Sequence, residues 1–93
     1  MLAEPSITFD PAAAWRVNTQ VSLRDEAFGA MAYHHGTRRL VFLKSPELVE
    51  LVRSLERYES AHQAIDAVVA SSQHDRYKTA LSSLATSEII CER

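Results

Sequence analysis

The sequence predicts an α+β domain, a three-stranded antiparallel sheet followed by three helices, and three observations carry that prediction. Short apolar segments, alternating or in a compact run, occupy positions 21–43 and suit strands. Ser45-Pro46 then marks a helix start, with a side-chain cap followed by proline at the first helical position. Beyond it, apolar residues recur at helical spacing. One sheet face and three helical stripes are enough to enclose a small core.

The first residues read as an N-terminal arm, 1–14, ahead of a single domain at 15–93. Pro5 and Pro11 punctuate the arm, and Asp10-Pro11 suits a turn. Ile7, Phe9 and Trp15 either pin it to the domain or offer an aromatic surface to a partner, and packing is the simpler role for Trp15. Val21-Ser22-Leu23-Arg24 alternates and predicts a first strand with one wet face. A connection at 25–29 leads to a second strand over Ala30 to His34. Leu40 to Leu43 forms a third, where Val41 and Phe42 favour extended backbone. Gly36 lies between these two and tolerates positive φ, so a hairpin turn is expected there. The run Leu40-Val41-Phe42-Leu43 does not alternate, which predicts cover on both of its faces. Helices would supply one cover, and the arm or a partner the other.

In the first helix Leu48, Leu51, Val52 and Leu55 form one stripe. Ser60 and Gln63 have capping-box spacing at the head of a second helix, whose stripe is Ala61, Ala64, Ile65, Val68 and Val69. Ser71-Ser72 breaks the pattern. A third helix around 73–86 sets Tyr77, Ala80, Leu81 and Leu84 on one side, and Ile89-Ile90 closes the core as a tail segment.

The chain has 93 residues, 46% of them hydrophobic, with a formal net charge of -2. That length suits one domain with a modest core, better able to carry a surface groove than a deep catalytic pocket. The charge balance argues against nucleic-acid binding, which rests on phosphate neutralisation. No stretch reaches membrane-spanning length, and the N-terminus has neither the basic region nor the apolar core of a signal peptide. The single cysteine, Cys91, makes neither an internal disulfide nor a metal site, and a cytoplasmic location is expected.

Little in the sequence points to catalysis. The histidines are His34, His35, His62 and His74. Adjacent His34 and His35 point to opposite faces of a strand, and the other two have no partner at ligand spacing, so no metal site is expected. With Gly29 and Gly36 as the only glycines there is no phosphate-cradling loop. No serine sits in a nucleophile elbow. No catalytic residue is assigned, and the chain is expected not to be an enzyme. Two binding readings remain. Three helices with a small sheet suit a winged helix-turn-helix, hence a small DNA-binding regulator whose reading helix would offer Arg76 and Lys78. The other reading is peptide recognition, in which an extended peptide joins an open sheet edge as an extra strand. The segment Arg39, Leu40, Val41, Phe42, Leu43, Lys44 is the best candidate edge, unless its strand is wholly internal. Its cations Arg38, Arg39 and Lys44 suit acidic peptide residues.

The segments Phe28-Gly29-Ala30, Tyr33-His34-His35-Gly36-Thr37-Arg38-Arg39-Leu40 and Phe42-Leu43-Lys44-Ser45-Pro46 resemble the MftB-type peptide chaperones of mycofactocin biosynthesis, from about Phe9 to Ile90. These belong to the wider PqqD-like group, the RiPP recognition elements. The resemblance implies a winged-helix-like domain that binds the leader of a ribosomally made precursor peptide along a sheet edge and the third helix. The matching regions here are Leu40 to Lys44 and the face near Tyr77, Leu81 and Leu84. It also implies two partners: an MftA-like precursor peptide and an MftC-like radical SAM enzyme. Iron–sulfur clusters and S-adenosylmethionine would belong to that enzyme, with no cofactor in this chain. Trp15, Arg38 and Arg39 are the candidates for contact with one of these partners, and Gly36 is a structural turn residue.

Overall fold

A computed structural model describes residues 9–93, so the expectations for Pro5 and Ile7 fall outside the described residues. The elements run β1 (Trp15–Val17), β2 (Val21–Glu26), β3 (Gly29–His34), β4 (Leu40–Leu43), α1 (Pro46–Ser54), α2 (Ala61–Val68), α3 (His74–Thr86) and β5 (Ile90–Glu92). Short 3-10 turns at Leu55–Arg57 and Ser71–Gln73 precede α2 and α3.

The three-stranded antiparallel sheet followed by three helices is present, in the order β2-β3-β4. Its register sets Leu23 opposite Ala32 and Val41 opposite Ala32 from the other side. The inner face is therefore Val21, Leu23, Ala30, Ala32, His34, Val41 and Leu43. Ala30, Ala32 and Leu43 are fully buried against the helices, with Leu51, Leu55, Ile65, Leu81, Ile89 and Ile90.

The helix starts follow from their caps. Ser45 Oγ accepts the Leu48 N–H at 3.0 Å, with Pro46 as the first helical residue. Ser60 Oγ accepts the Gln63 N–H at 3.2 Å. The earlier donors of α2 are satisfied by the segment that precedes β1. Ala61 and His62 donate to the carbonyls of Ala13 and Pro11 at 3.1 and 2.9 Å. Residues 9–14 are thus fastened to the helical layer. Asp10 forms a turn, its Oδ1 accepting the Ala12 N–H at 3.0 Å, and its carbonyl accepts the Trp15 indole N–H at 2.8 Å.

A second sheet was not expected. β1 pairs with β5, Trp15 opposite Glu92 and Val17 opposite Ile90. Ile89 and Ile90 do close the core, as a strand start rather than a loose tail. Of the expected double cover of β4, the helical side is present and the described part of the arm does not supply the other. Val41 and Leu43 face inward, whereas Leu40 and Phe42 are 47% and 49% exposed, and no described element covers them.

Candidate functional site

The site begins with the turn between β3 and β4. His34 is buried, and its Nδ1 accepts the backbone N–H groups of Gly36 and Thr37 at 3.0 and 3.1 Å. This side-chain clamp stands in for backbone pairing inside the loop. Adjacent His35 is exposed and points the other way, its Nε2 2.8 Å from Ser22 Oγ. Positive φ falls on Arg38 (64°), not on Gly36. Gly36 is needed for a different reason: a Cβ there would meet Gln20 Oε1 at 2.3 Å and His34 Cε1 at 2.9 Å. The turn therefore presents Arg38 and Arg39 on a fixed, exposed corner.

β4 leaves this corner as an edge strand, hydrogen-bonded to β3 on one side. His34 N–H donates to the Arg39 carbonyl at 2.9 Å. In an antiparallel ladder bonded and non-bonded pairs alternate. The inward-bonding residues after Arg39 are then Val41 and Leu43, so Leu40 and Phe42 direct their N–H and C=O groups to the free edge. Among the described residues nothing pairs with that edge.

At the end of β4 the chain meets α3. Tyr77 Oη donates to Glu47 Oε1 at 3.2 Å and lies 3.1 Å from Ser45 Oγ, tying α3 to the cap of α1. Lys44, Ser45, Leu48, Arg76, Tyr77 and Ala80 line a shallow cleft of about 170 Å³ beside it. Edge and cleft form one continuous feature through Lys44. Arg38, Arg39 and Lys44 have no ion-pair partner among the described residues, whereas Arg24 pairs with Glu26 and Arg53 with Asp25.

The sequence-predicted residues divide into two groups. Arg38, Arg39, Leu40, Phe42 and Lys44 are exposed along the edge, and Tyr77 reaches the cleft by its hydroxyl while its ring is buried. Leu43, Leu81 and Leu84 are core residues at 0, 0 and 4% exposure and offer no side chain to a ligand. Trp15 is 2% exposed with its ring 5.0 Å from Phe9, so it packs and presents no aromatic surface. Arg76 is exposed on α3 beside Asp75, and Lys78 is only part-exposed. Sequence reasoning missed Phe28, which lies edge-on to Phe42 at 5.8 Å, and the cleft residues Leu48 and Arg76 as possible peptide contacts. A phenylalanine in the tight connection between two strands was the available signal for the first.

No group of three His, Cys, Asp or Glu side chains is placed to hold a metal among the described residues, and no described helix is long and apolar enough to cross a membrane. No solved structure matches the chain significantly. Residues 14–91 match the family model described as the peptide chaperone MftB family. A protein named peptide chaperone MftB from Mycolicibacterium smegmatis is 46% identical over 85 residues, covering 90% of this chain and 83% of that protein. Proteins of the same name from Mycobacterium ulcerans and Mycobacterium tuberculosis are 45% and 42% identical over 83 and 89 residues. These cover 88% and 95% of this chain, and 76% and 82% of the relatives. With most of its length matched and its turn, edge and cleft accounted for, the chain belongs to the peptide chaperone MftB family and is not an enzyme.

Proposed function

We propose that this chain is a peptide chaperone of mycofactocin biosynthesis that takes up the leader of an MftA-like precursor and presents it to an MftC-like radical SAM enzyme. The observation that carries this reading is the edge of β4, unpaired among the described residues, which leads through Lys44 to the cleft beside α3. A leader bound there would add as a strand, with backbone bonds from Leu40 and Phe42 for affinity and the cleft for side-chain selection. Lys44 and Arg76 would meet acidic leader residues, and the Arg38-Arg39 corner would contact the enzyme. The chain makes no bond itself. It raises the local concentration of the peptide and holds it in register. Iron–sulfur clusters and S-adenosylmethionine belong to the partner in this reading.

Hydrogen exchange followed by NMR tests the strand addition directly. On saturation with the precursor, the Leu40 and Phe42 amides should slow markedly, while those of Val41 and Leu43, already bonded to β3, should change little. Binding without slowing at Leu40 and Phe42 would rule out this edge.

A further inference from the structure

We propose that the outer face of the three-stranded sheet is a second docking surface, separate from the strand-adding edge, for an apolar patch with an acidic margin on the enzyme that receives the peptide. The proposal rests on the adaptor reading above and deepens it. Cross-strand register sets Ser22, Tyr33 and Leu40 in one row of this face and Arg24, Met31 and Phe42 in the next. Phe28 reaches over from the β2–β3 turn, and Phe28, Phe42 and Lys44 enclose an apolar depression of about 420 Å³. Phe28, Leu40 and Phe42 are the large hydrophobics left exposed among the described residues, at 42, 47 and 49%, and all three converge here. The open face of an antiparallel sheet is ordinarily polar, and a clustered apolar patch of this kind marks an interaction site.

Charge selects the occupant. Among the described residues Arg38, at the turn end of the face, and Lys44, at the other end, have no ion-pair partner, while Glu26 is already held by Arg24 at 3.1 Å. A second copy laid face to face would bring both sets of cations into one interface with no free carboxylate of the described residues on the face to meet them. A partner that is apolar at its centre and acidic at its rim satisfies both features. The leader, for its part, engages backbone groups of Leu40 and Phe42 and leaves their side chains pointing outward. An added strand would widen this face by one strand, so an enzyme seated on it would also touch the peptide being delivered.

The test is isothermal titration calorimetry of the wild-type chain and the Phe28→Ser/Met31→Thr variant, each against the precursor and the radical SAM enzyme separately, with sedimentation to read oligomeric state. Both residues lie on the outer face and outside the proposed leader contacts. The expected result is a loss of enzyme affinity of at least about tenfold, with precursor affinity held within about twofold. Unchanged enzyme affinity overturns the proposal. So does a loss confined to the precursor, which would give the face to the peptide, or a wild-type dimer that the variant dissolves. Phe28→Ser alone gives the same readout if the double variant fails to fold. A wild-type chain that binds the enzyme in a way that Phe28→Ser/Met31→Thr weakens, but does not bind the precursor, would sink strand addition and leave this surface standing.

Discussion

His34 and Gly29 carry constraints that their neighbours do not. The His34 ring is buried at 2% exposure and accepts two loop N–H groups, so its truncation leaves both donors unpaired and a void beside them. His34→Ala should cost about 2 kcal/mol, seen as a fall in Tm of roughly 8–16 °C at this size. His35→Ala, at an exposed position, should stay within about 0.5 kcal/mol in the same thermal scan. The two glycines also separate. At Gly29 φ is 150° and a Cβ would sit 2.1 Å from the Leu43 carbonyl oxygen, part of the neighbouring strand's backbone. At Gly36 the nearest atom is the end of the Gln20 side chain, which can swing away, leaving the His34 ring at 2.9 Å as the one fixed close neighbour. Gly29→Ala should therefore destabilise by about 2–4 kcal/mol and Gly36→Ala by clearly less, read from urea unfolding midpoints. At the exposed corner, Arg38→Asp with Arg39→Glu should leave stability nearly unchanged. It should weaken enzyme binding, and unchanged affinity for both partners would remove the corner from the interface.

Among the elements, the join of α3 to the head of α1 rests on one hydroxyl. Tyr77→Phe removes the contacts to Glu47 and Ser45 while keeping the buried ring. A loss of about 1 kcal/mol is expected in chemical denaturation, with weaker leader binding, because the same residues wall the cleft. β2, β3, β4 and the three helices were readable in the sequence because each signals itself locally, by alternation, by a β-rich run or by a capped apolar stripe. β1 and β5 were not. Three residues are too few to show a period, and the partner that makes each a strand lies at the other end of the chain. The site was half readable for a related reason. Helical spacing identified Tyr77, Leu81 and Leu84 as one face, but spacing alone does not tell core from groove. The cleft is lined by residues at the margin of that stripe, Arg76 and Ala80. Likewise an apolar run does not reveal whether a second layer exists to cover it, and here Leu40 and Phe42 have none among the described residues.

For the whole molecule, the β1–β5 pair acts as a clasp. It joins the segment that caps α2 to β5. Arg93 fastens it further, donating through its backbone to Ala14 at 2.9 Å and through its guanidinium to the Glu56 and Tyr58 carbonyls. Ile90 is 1% exposed within this pair, so Ile90→Ala should cost about 2–4 kcal/mol, measured by equilibrium unfolding. The clasp also sets an order in time. The β2–β3–β4 meander joins consecutive segments and closes over short loops, whereas the strand partner of β1 lies at residues 90–92. A chain synthesised from its N-terminus has to carry Trp15 and its neighbours unpaired while the meander and the helices are still being made. The segments of the proposed docking edge are therefore all synthesised before the clasp can close.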